Sequence, residues 1–257
     1  MDRALISCER LSDLPEYLAV ARQYHLGLEL QEFSNPVLLD DDWHGAIREY
    51  RSRLDGFDGD RSMHGAFIDL ISGSPDRRVA AIARDRYRQN LEIAHELGVK
   101  VIDFHANYLP LVDHPSYLPD WESRQIDFWG PMAEEASQVG VLLVLENMWE
   151  PDPSIIGHVL NRIRSPFLKA CLDVGHASLY SRLPVSLWIS TLGEQLVYTH
   201  LHNNHGTTDE HLAFSDGVID FPELLALLRA IPQPPKFTLE LPTLDAIRAS
   251  LPYLELK

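Results

Sequence analysis

The segment 198–212 reads YTHLHNNHGTTDEHL and holds four of the 12 histidines in the chain. Imidazole and carboxylate groups together favour divalent transition metals, so this segment indicates metal chemistry. His200 and His202 are two residues apart and therefore point to one side of an extended strand. We favour His202 as the ligand because it lies nearer the end of the apolar run, which leaves His200 to pack or to support it. Asp209 and His211 would share a face in the same way if their loop is extended.

Three carboxylates each end a short apolar run: Glu146 in LLVLE, Asp173 in ACLD and Glu240 in FTLE. Such runs are typical of strands buried on both faces, where an unpaired carboxylate is costly. Three carboxylates that converge in one place would also repel each other without a cation. The sequence therefore predicts a divalent metal. Mixed oxygen and nitrogen ligands favour Mn²⁺, Zn²⁺, Co²⁺ or Fe²⁺ over Ca²⁺, and zinc gains as histidines are added.

Eight apolar runs of strand length must position these residues. They span 4–9, 26–33, 62–70, 100–107, 141–147, 169–175, 196–203 and 236–242. Helical patterns lie between or after them, most clearly at 78–98, 123–140, 221–232 and 241–254. Strands alternating with helices predict a parallel sheet, and eight such repeats in about 250 residues predict one (β/α)8 TIM barrel domain over 1–257. A doubly wound sheet would place a Gly-rich turn after the first strand, where this chain reads CERLSDLPEYL.

The carboxyl ends of barrel strands meet at one mouth, where barrel enzymes carry their chemistry. The polar residues that the predicted barrel would place at this mouth are His64, His105, Glu146, Asn147, Asp173, His176, His200, His202, Asp209, His211 and Glu240. Candidate substrate contacts are Asn147, Trp149 and His176, with Glu29, Glu32, Phe33, Asn107, Tyr108 and Asn204 as further pocket residues. Five other histidines are expected at the surface: His25, His44, His95, His114 and His158.

The ordered motifs HGAF, FHAN, LLVLENMW, CLDVGHASLY, HLHNNHGTTDEHLAFSDGVIDF and FTLELP resemble the xylose-isomerase-like TIM barrel superfamily. That superfamily holds sugar and sugar-phosphate isomerases and epimerases, together with AP endonucleases of the endonuclease-IV type. The resemblance covers the third to eighth strands, about two thirds of the chain. It implies a central metal whose ligands are Glu146, Asp173, His202 and Glu240. It also implies that Glu146 and Glu240 are catalytic and move a proton next to a carbonyl through a metal-stabilised enediolate.

The endonuclease branch of the superfamily uses nine ligands for three zinc ions. The matching residues here are His64, His105, Glu146, Asp173, His176, His202, Asp209, His211 and Glu240. The resemblance thus implies one to three ions, with zinc or manganese favoured, and leaves two activities open: a sugar isomerase or epimerase, and a multi-zinc phosphodiesterase. A third hypothesis is a barrel that only binds its ligand. One departure is Ser215, which replaces the first glycine of the superfamily's GxGxIDF pattern.

Composition argues against nucleic acid as the partner. The formal charge is −16, and the chain has no Lys/Arg run to neutralise phosphates. The expected partner is a small polyol or sugar, and homo-oligomer formation stays open. No apolar run reaches the roughly 18 residues of a membrane span, so the expected compartment is the cytoplasm. Cys8 and Cys171 lie in apolar settings and are expected to be buried thiols.

Overall fold

The computed structural model describes residues 1–110 and 114–256. Eight parallel strands pair in sequence order, and the first also pairs with the last, so the sheet closes into a barrel. The strands are β1 (Ala4–Cys8), β2 (Gly27–Leu30), β3 (Arg61–His64), β4 (Val101–His105), β5 (Leu142–Glu146), β6 (Leu168–Asp173), β7 (Leu196–Leu201) and β8 (Lys236–Leu239). This arrangement confirms the predicted (β/α)8 TIM barrel. Each strand lies inside or within a residue of its apolar run, but several runs extend past the strand into the following loop.

Helices surround the barrel and follow the strands. They are α1 (Leu14–Tyr24), α2 (Pro36–Asp40), α3 (Trp43–Arg53), α4 (Arg77–Leu97), α5 (Tyr117–Val139), α6 (Ser154–Ile163), α7 (Val174–Tyr180), α8 (Val185–Leu192), α9 (Phe221–Arg229) and α10 (Leu244–Ser250). Gly98 and Gly140 end α4 and α5 at positive φ, as is typical of helix C-caps, and they are the last residues of the predicted helical patterns 78–98 and 123–140. The predicted start of α5 at 123 is wrong, since the helix begins six residues earlier at Tyr117. Among the described residues, no helix combines the length and apolarity needed to cross a membrane.

The inside of the barrel is divided into an apolar part and a polar part. Leu5, Val101, Val144, Cys171 and Tyr198 pack together inside the barrel as a small buried cluster. The larger apolar core lies between the strands and the surrounding helices. Cys8 and Cys171 are both buried free thiols, as predicted. Above the inner cluster, the side chains at the carboxyl ends of the strands are polar, and this polar layer forms the candidate site.

Candidate metal centre

The central part of the site contains the three strand-end carboxylates. Glu146 ends β5, Asp173 ends β6 and Glu240 follows β8, and together with His200 of β7 they place ligand atoms within 4.8 Å of one another. The Nδ1 atom of His200 lies 3.3 Å from Glu146 Oε1 and 3.4 Å from Glu240 Oε2. It also lies 4.0 Å from Asp173 Oδ2. Four ligand-type groups from four strands therefore surround one small volume.

His202 lies beside this central group. Its Nε2 is 3.0 Å from Asp173 Oδ2, and its Nδ1 is 3.8 Å from Asp209 Oδ1. It also stacks on the ring of His211 at a centroid distance of 3.8 Å. In this geometry His200 contacts both glutamates, and His202 connects Asp173 to the loop. The central-ligand role that the resemblance implies for His202 stays a prediction.

The second group of ligand-type residues lies where the loop that follows β7 contacts α7. His176, His202, Asp209 and His211 place ligand atoms within 4.8 Å of one another. Asp209 Oδ2 lies 3.1 Å from His176 Nε2 and 3.3 Å from His211 Nε2. The TTDEH loop thus folds back over the mouth, and Asp209 and His211 face the same point as the sequence predicts.

A third group lies on the opposite side of Glu146, where His64 and His105 end β3 and β4. His105 Nε2 is 3.4 Å and His64 Nε2 is 3.7 Å from Glu146 Oε2. His64 Nδ1 is within hydrogen-bond distance, 2.8 Å, of the Gly65 carbonyl oxygen, so Nε2 is the atom that is free to face Glu146. All nine residues that resemble the endonuclease ligands therefore lie in three adjoining groups, with Glu146 shared between two of them.

The chemistry of these atoms fits a divalent cation. Among the described residues, both carboxylate oxygens of Glu146 and the Nδ1 atoms of His200 and His202 are buried without a hydrogen-bond partner. Buried polar atoms without partners are rare in folded proteins and are expected at ion sites. A carboxylate accompanied by imidazoles is also a donor set that suits zinc or manganese.

Charges in the mouth shift the pKa values of its groups in opposite directions. Burial opposes ionisation of Glu146, but the neighbouring His200 and His105 outweigh it and hold the pKa of Glu146 well below its usual range. Burial also lowers the pKa of His200, yet Glu240 and Glu29 raise it well above its usual range. Burial lowers the pKa of His211, but the hydrogen bond to Asp209 and the negative charges of Glu240 and Asp209 together outweigh it and raise that pKa to about 9. The carboxylates thus require positive charge beside them, which either protonated imidazoles or a cation supplies.

A cavity of about 760 Å³ opens above the central group, within the usual size range of small-molecule pockets. Its walls include Glu146, Glu240 and His176, with Glu32 and Phe67 on the side of the early strands. Its lining residues are Glu9, Arg10, Gln31, Glu32, Ser34, Asn35, His64, Phe67, His105, Glu146, Met148, His176, Asp209, His211 and Glu240. A small polar molecule could therefore reach both glutamates from this cavity.

Several residues that were predicted to contact the substrate do not line this cavity. Glu29 and Phe33 are wholly buried and do not line this cavity, and their role in reading the substrate stays a prediction. Asn147 is also buried, and its amide bonds the backbone of Asp173 twice: Nδ2 donates to the carbonyl oxygen at 2.9 Å, and Oδ1 accepts from the N–H at 3.0 Å. Trp149 is half-buried beyond β5. A substrate contact by Asn147 or Trp149 stays a prediction.

Asn107 and Asn204, two loop residues of the predicted pocket, form hydrogen bonds to the backbone through their side-chain amides. Asn107 Nδ2 donates to the Leu70 carbonyl oxygen at 3.0 Å, and Asn204 Nδ2 donates to the Gly175 carbonyl oxygen at 3.2 Å. Tyr108 is half-buried near them. The five histidines expected at the surface, His25, His44, His95, His114 and His158, are all exposed, which confirms that prediction.

Asp103 is a site residue that the strand-end argument missed. It lies in the middle of β4 and is wholly buried. Burial and the adjacent charge of Glu146 raise the pKa of Asp103 well above its usual range. A signal for it was present in the sequence, because Asp103 and His105 are two apart and therefore point to the same side of the strand.

The loop after His211 contains Ser215 in place of the first glycine of the GxGxIDF pattern. Asn203 holds this loop, since its Nδ2 donates to the carbonyl oxygens of Phe214 and Ile219 at 2.9 and 3.1 Å. A Cβ atom on Gly217 would lie only 2.3 Å from Asn203 Oδ1. The close approach therefore occurs at the second glycine of the pattern, Gly217, whereas Ser215 is exposed.

A closed parallel barrel with imidazoles and carboxylates gathered at the carboxyl ends of its strands defines a (β/α)8 protein with a metal-type site. The chain belongs to the xylose isomerase-like TIM barrel family, whose sequence profile matches residues 24–256. This finding confirms the resemblance drawn from the motifs.

This chain is similar to several solved structures and to curated proteins. The structure of the TTHB071 protein from Thermus thermophilus, soaked with ZnCl₂, is 28% identical with a TM-score of 0.81, covering 98% of this chain and 96% of that one. A D-tagatose 3-epimerase-like protein is 23% identical with a TM-score of 0.80, covering 97% of each chain, a likeness of fold. The uncharacterized protein MJ1311 of Methanocaldococcus jannaschii is 28% identical over 179 residues, which is 66% of this chain and 60% of that relative. The match thus spans less than two thirds of the curated relative.

Proposed function

We propose that this protein is a metal-dependent isomerase or epimerase of a sugar or sugar phosphate, which moves a proton on a carbon next to a carbonyl. The observation that carries the proposal is the placement of Glu146 and Glu240. Both border the cavity, and both lie within 3.4 Å of the same nitrogen, His200 Nδ1. A substrate carbon above that point is within reach of two carboxylates. The D-tagatose 3-epimerase-like structure with the same fold supports this choice.

The ligands of the cation would be Glu146, Asp173 and Glu240, with His200 or His202 as the nitrogen donor. A bound zinc or manganese ion would polarise the substrate carbonyl and acidify the neighbouring C–H bond. One glutamate then removes the proton as a general base, and the other returns a proton as a general acid. Glu146 is wholly buried where it borders the cavity, so its carboxylate meets a substrate only from the cavity side.

The proposal is tested with metal-loaded protein on a panel of ketoses and ketose phosphates. Glu146→Gln and Glu240→Gln should each abolish isomerisation or epimerisation while far-UV circular dichroism stays that of the wild type. The exposed Glu92 of α4 offers a matched control, and Glu92→Gln should keep full activity. Wild-type metal content and activity in both site variants would contradict the assignment of the two glutamates.

A second candidate function, a multi-zinc phosphodiesterase, is favoured by one observation. The three adjoining groups together hold all nine residues that match the ligands of the three-zinc endonucleases. The charge of −16 disfavours a nucleic-acid substrate, so the phosphoester would be small. Metal stoichiometry separates the two functions: about one ion per chain favours the isomerase, and about three favour the hydrolase.

A further inference from the structure

Gln31, the first residue after β2, reaches across the mouth of the barrel to one of the two glutamates of the proposed function. Its Nε2 donates a hydrogen bond at 2.7 Å to Oε1 of Glu240, which follows β8. β1 lies between β2 and β8 and pairs with both, so the carboxyl ends of these two strands are about 9–10 Å apart. Gln31 is half-buried and lines the cavity. Its amide therefore spans the end of β1 at the edge of the proposed site.

The backbone that carries this amide is itself held by hydrogen bonds. The Gln31 N–H donates to the Cys8 carbonyl oxygen at 3.0 Å, and the Gln31 carbonyl oxygen accepts from the Ser34 hydroxyl at 2.7 Å. The next residue, Glu32, accepts from the Tyr50 hydroxyl of α3 at 2.8 Å. The amide thus projects from a loop that β1 and α3 hold in one position.

The hydrogen bond from Gln31 decides how the Glu240 carboxylate is turned. In the described part of the chain, no other group donates a hydrogen bond to this carboxylate. With Oε1 held by the amide, Oε2 is the oxygen that faces the imidazoles, 3.4 Å from Nδ1 of His200 and 3.8 Å from Nδ1 of His211. Without the amide, the carboxylate could turn about its last side-chain bond, because that torsion has only broad preferences.

We propose that Gln31 is a positioning residue that holds the Glu240 carboxylate so that Oε2 faces the cation of the proposed function. The inference rests on that metal site and extends it to a neutral residue of the early strands. Carboxylates that bind a metal are themselves held by hydrogen bonds, and the loss of such an outer partner typically weakens metal binding or activity by about 10- to 100-fold.

The first test measures Zn²⁺ affinity by competition with a chromogenic chelator, in the absence of any sugar. Glu240→Gln identifies the binding step that depends on Glu240. Gln31→Met keeps an unbranched side chain of similar length but removes the N–H donor, so it should weaken the same step by about 10- to 100-fold. Gln89 of α4 is the matched control, because it is also half-buried and donates at 2.8 Å to the Leu39 carbonyl oxygen, away from the cavity. Gln89→Met should keep the wild-type affinity.

A double-mutant cycle separates positioning from a general structural effect. If Gln31 acts through Glu240, adding Gln31→Met to Glu240→Gln should lower zinc affinity no further, because the carboxylate that the amide holds is already absent. Additive losses would overturn the proposal, since Gln31 would then act elsewhere.

A second substitution keeps the test decisive if circular dichroism shows Gln31→Met unfolded. Gln31→Asn retains the amide but shortens the side chain by one methylene, and it should weaken the same binding step. Wild-type zinc affinity in a folded Gln31 variant would overturn the proposal. A Glu240→Gln variant that weakens no binding step would do so too.

The proposed enzyme function is measured separately, so the two failures are distinguishable. Weaker zinc binding in Gln31→Met together with no turnover of any ketose by the wild type would support the positioning role and contradict the isomerase. Wild-type zinc affinity in that variant together with ketose turnover by the wild type would do the reverse.

Discussion

Asn147→Ala tests whether Asn147 supports the metal site or contacts the substrate. The wild-type amide makes two buried hydrogen bonds with the backbone of Asp173, at 2.9 and 3.0 Å. Alanine removes both partners and leaves the N–H and the carbonyl oxygen of Asp173 buried. Each buried group without a partner costs about 1–3 kcal/mol, so we expect the free energy of unfolding to fall by about 2–6 kcal/mol.

The assay is urea denaturation of metal-free protein followed by circular dichroism. Metal is removed first, because a bound ion stabilises the folded state and would mix two effects. Asn161 lies on the exposed face of α6, and Asn161→Ala is the control. That substitution should change the free energy of unfolding by no more than about 0.5 kcal/mol.

The same variant should also bind zinc less tightly, since Asp173 loses the contacts that hold its backbone in place. If Asn147→Ala instead unfolds like the wild type and raises only KM for the substrate, the supporting role is refuted. That result would favour the prediction that Asn147 contacts a sugar.

Three further predictions concern the mouth and its ligands. Asp209→Asn combined with His211→Ala should lower metal stoichiometry or raise KM while the central site keeps its ion; unchanged stoichiometry and kinetics would make the loop a solvated turn. Gly175→Ala would place a Cβ atom 2.0 Å from Cε1 of His202, so His202 must move and elemental analysis should show a loss of bound metal. Gly130→Ala is the control: its Cβ atom would lie near no atom within 4 Å, and this variant should keep its metal. Binding to abasic-site DNA should be weak at physiological salt because the chain carries a net charge of −16, and a tight complex in a gel-shift assay would favour the hydrolase instead.

The barrel could be predicted because its pattern repeats. Each strand is a short apolar run, and eight runs separated by helical segments suit few other architectures. The ends of these elements were harder to place. The run 62–70 continues past the end of β3 at His64, because the following loop also contains apolar residues that hydropathy alone cannot separate from a strand.

The site could be predicted where a polar residue ends an apolar strand, as Glu146 and Asp173 do. Pairing across the barrel could not be predicted in that way. Glu29 and His200 are 171 residues apart, and only closure of the barrel brings them to 3.2 Å. Likewise, the sequence cannot show that Asn147 turns its amide to the backbone of Asp173 and away from the cavity, because that depends on the register of β5 against β6.

The most direct test of the proposed function is proton exchange in D₂O. Metal-loaded protein is incubated with each ketose or ketose phosphate, and deuterium at the carbon next to the carbonyl is followed by proton NMR. We predict incorporation with at least one substrate, and loss of that incorporation after treatment with EDTA or in Glu240→Gln. Absence of exchange across the whole panel, together with zinc-dependent hydrolysis of a phosphodiester, would contradict the isomerase and establish the hydrolase in its place.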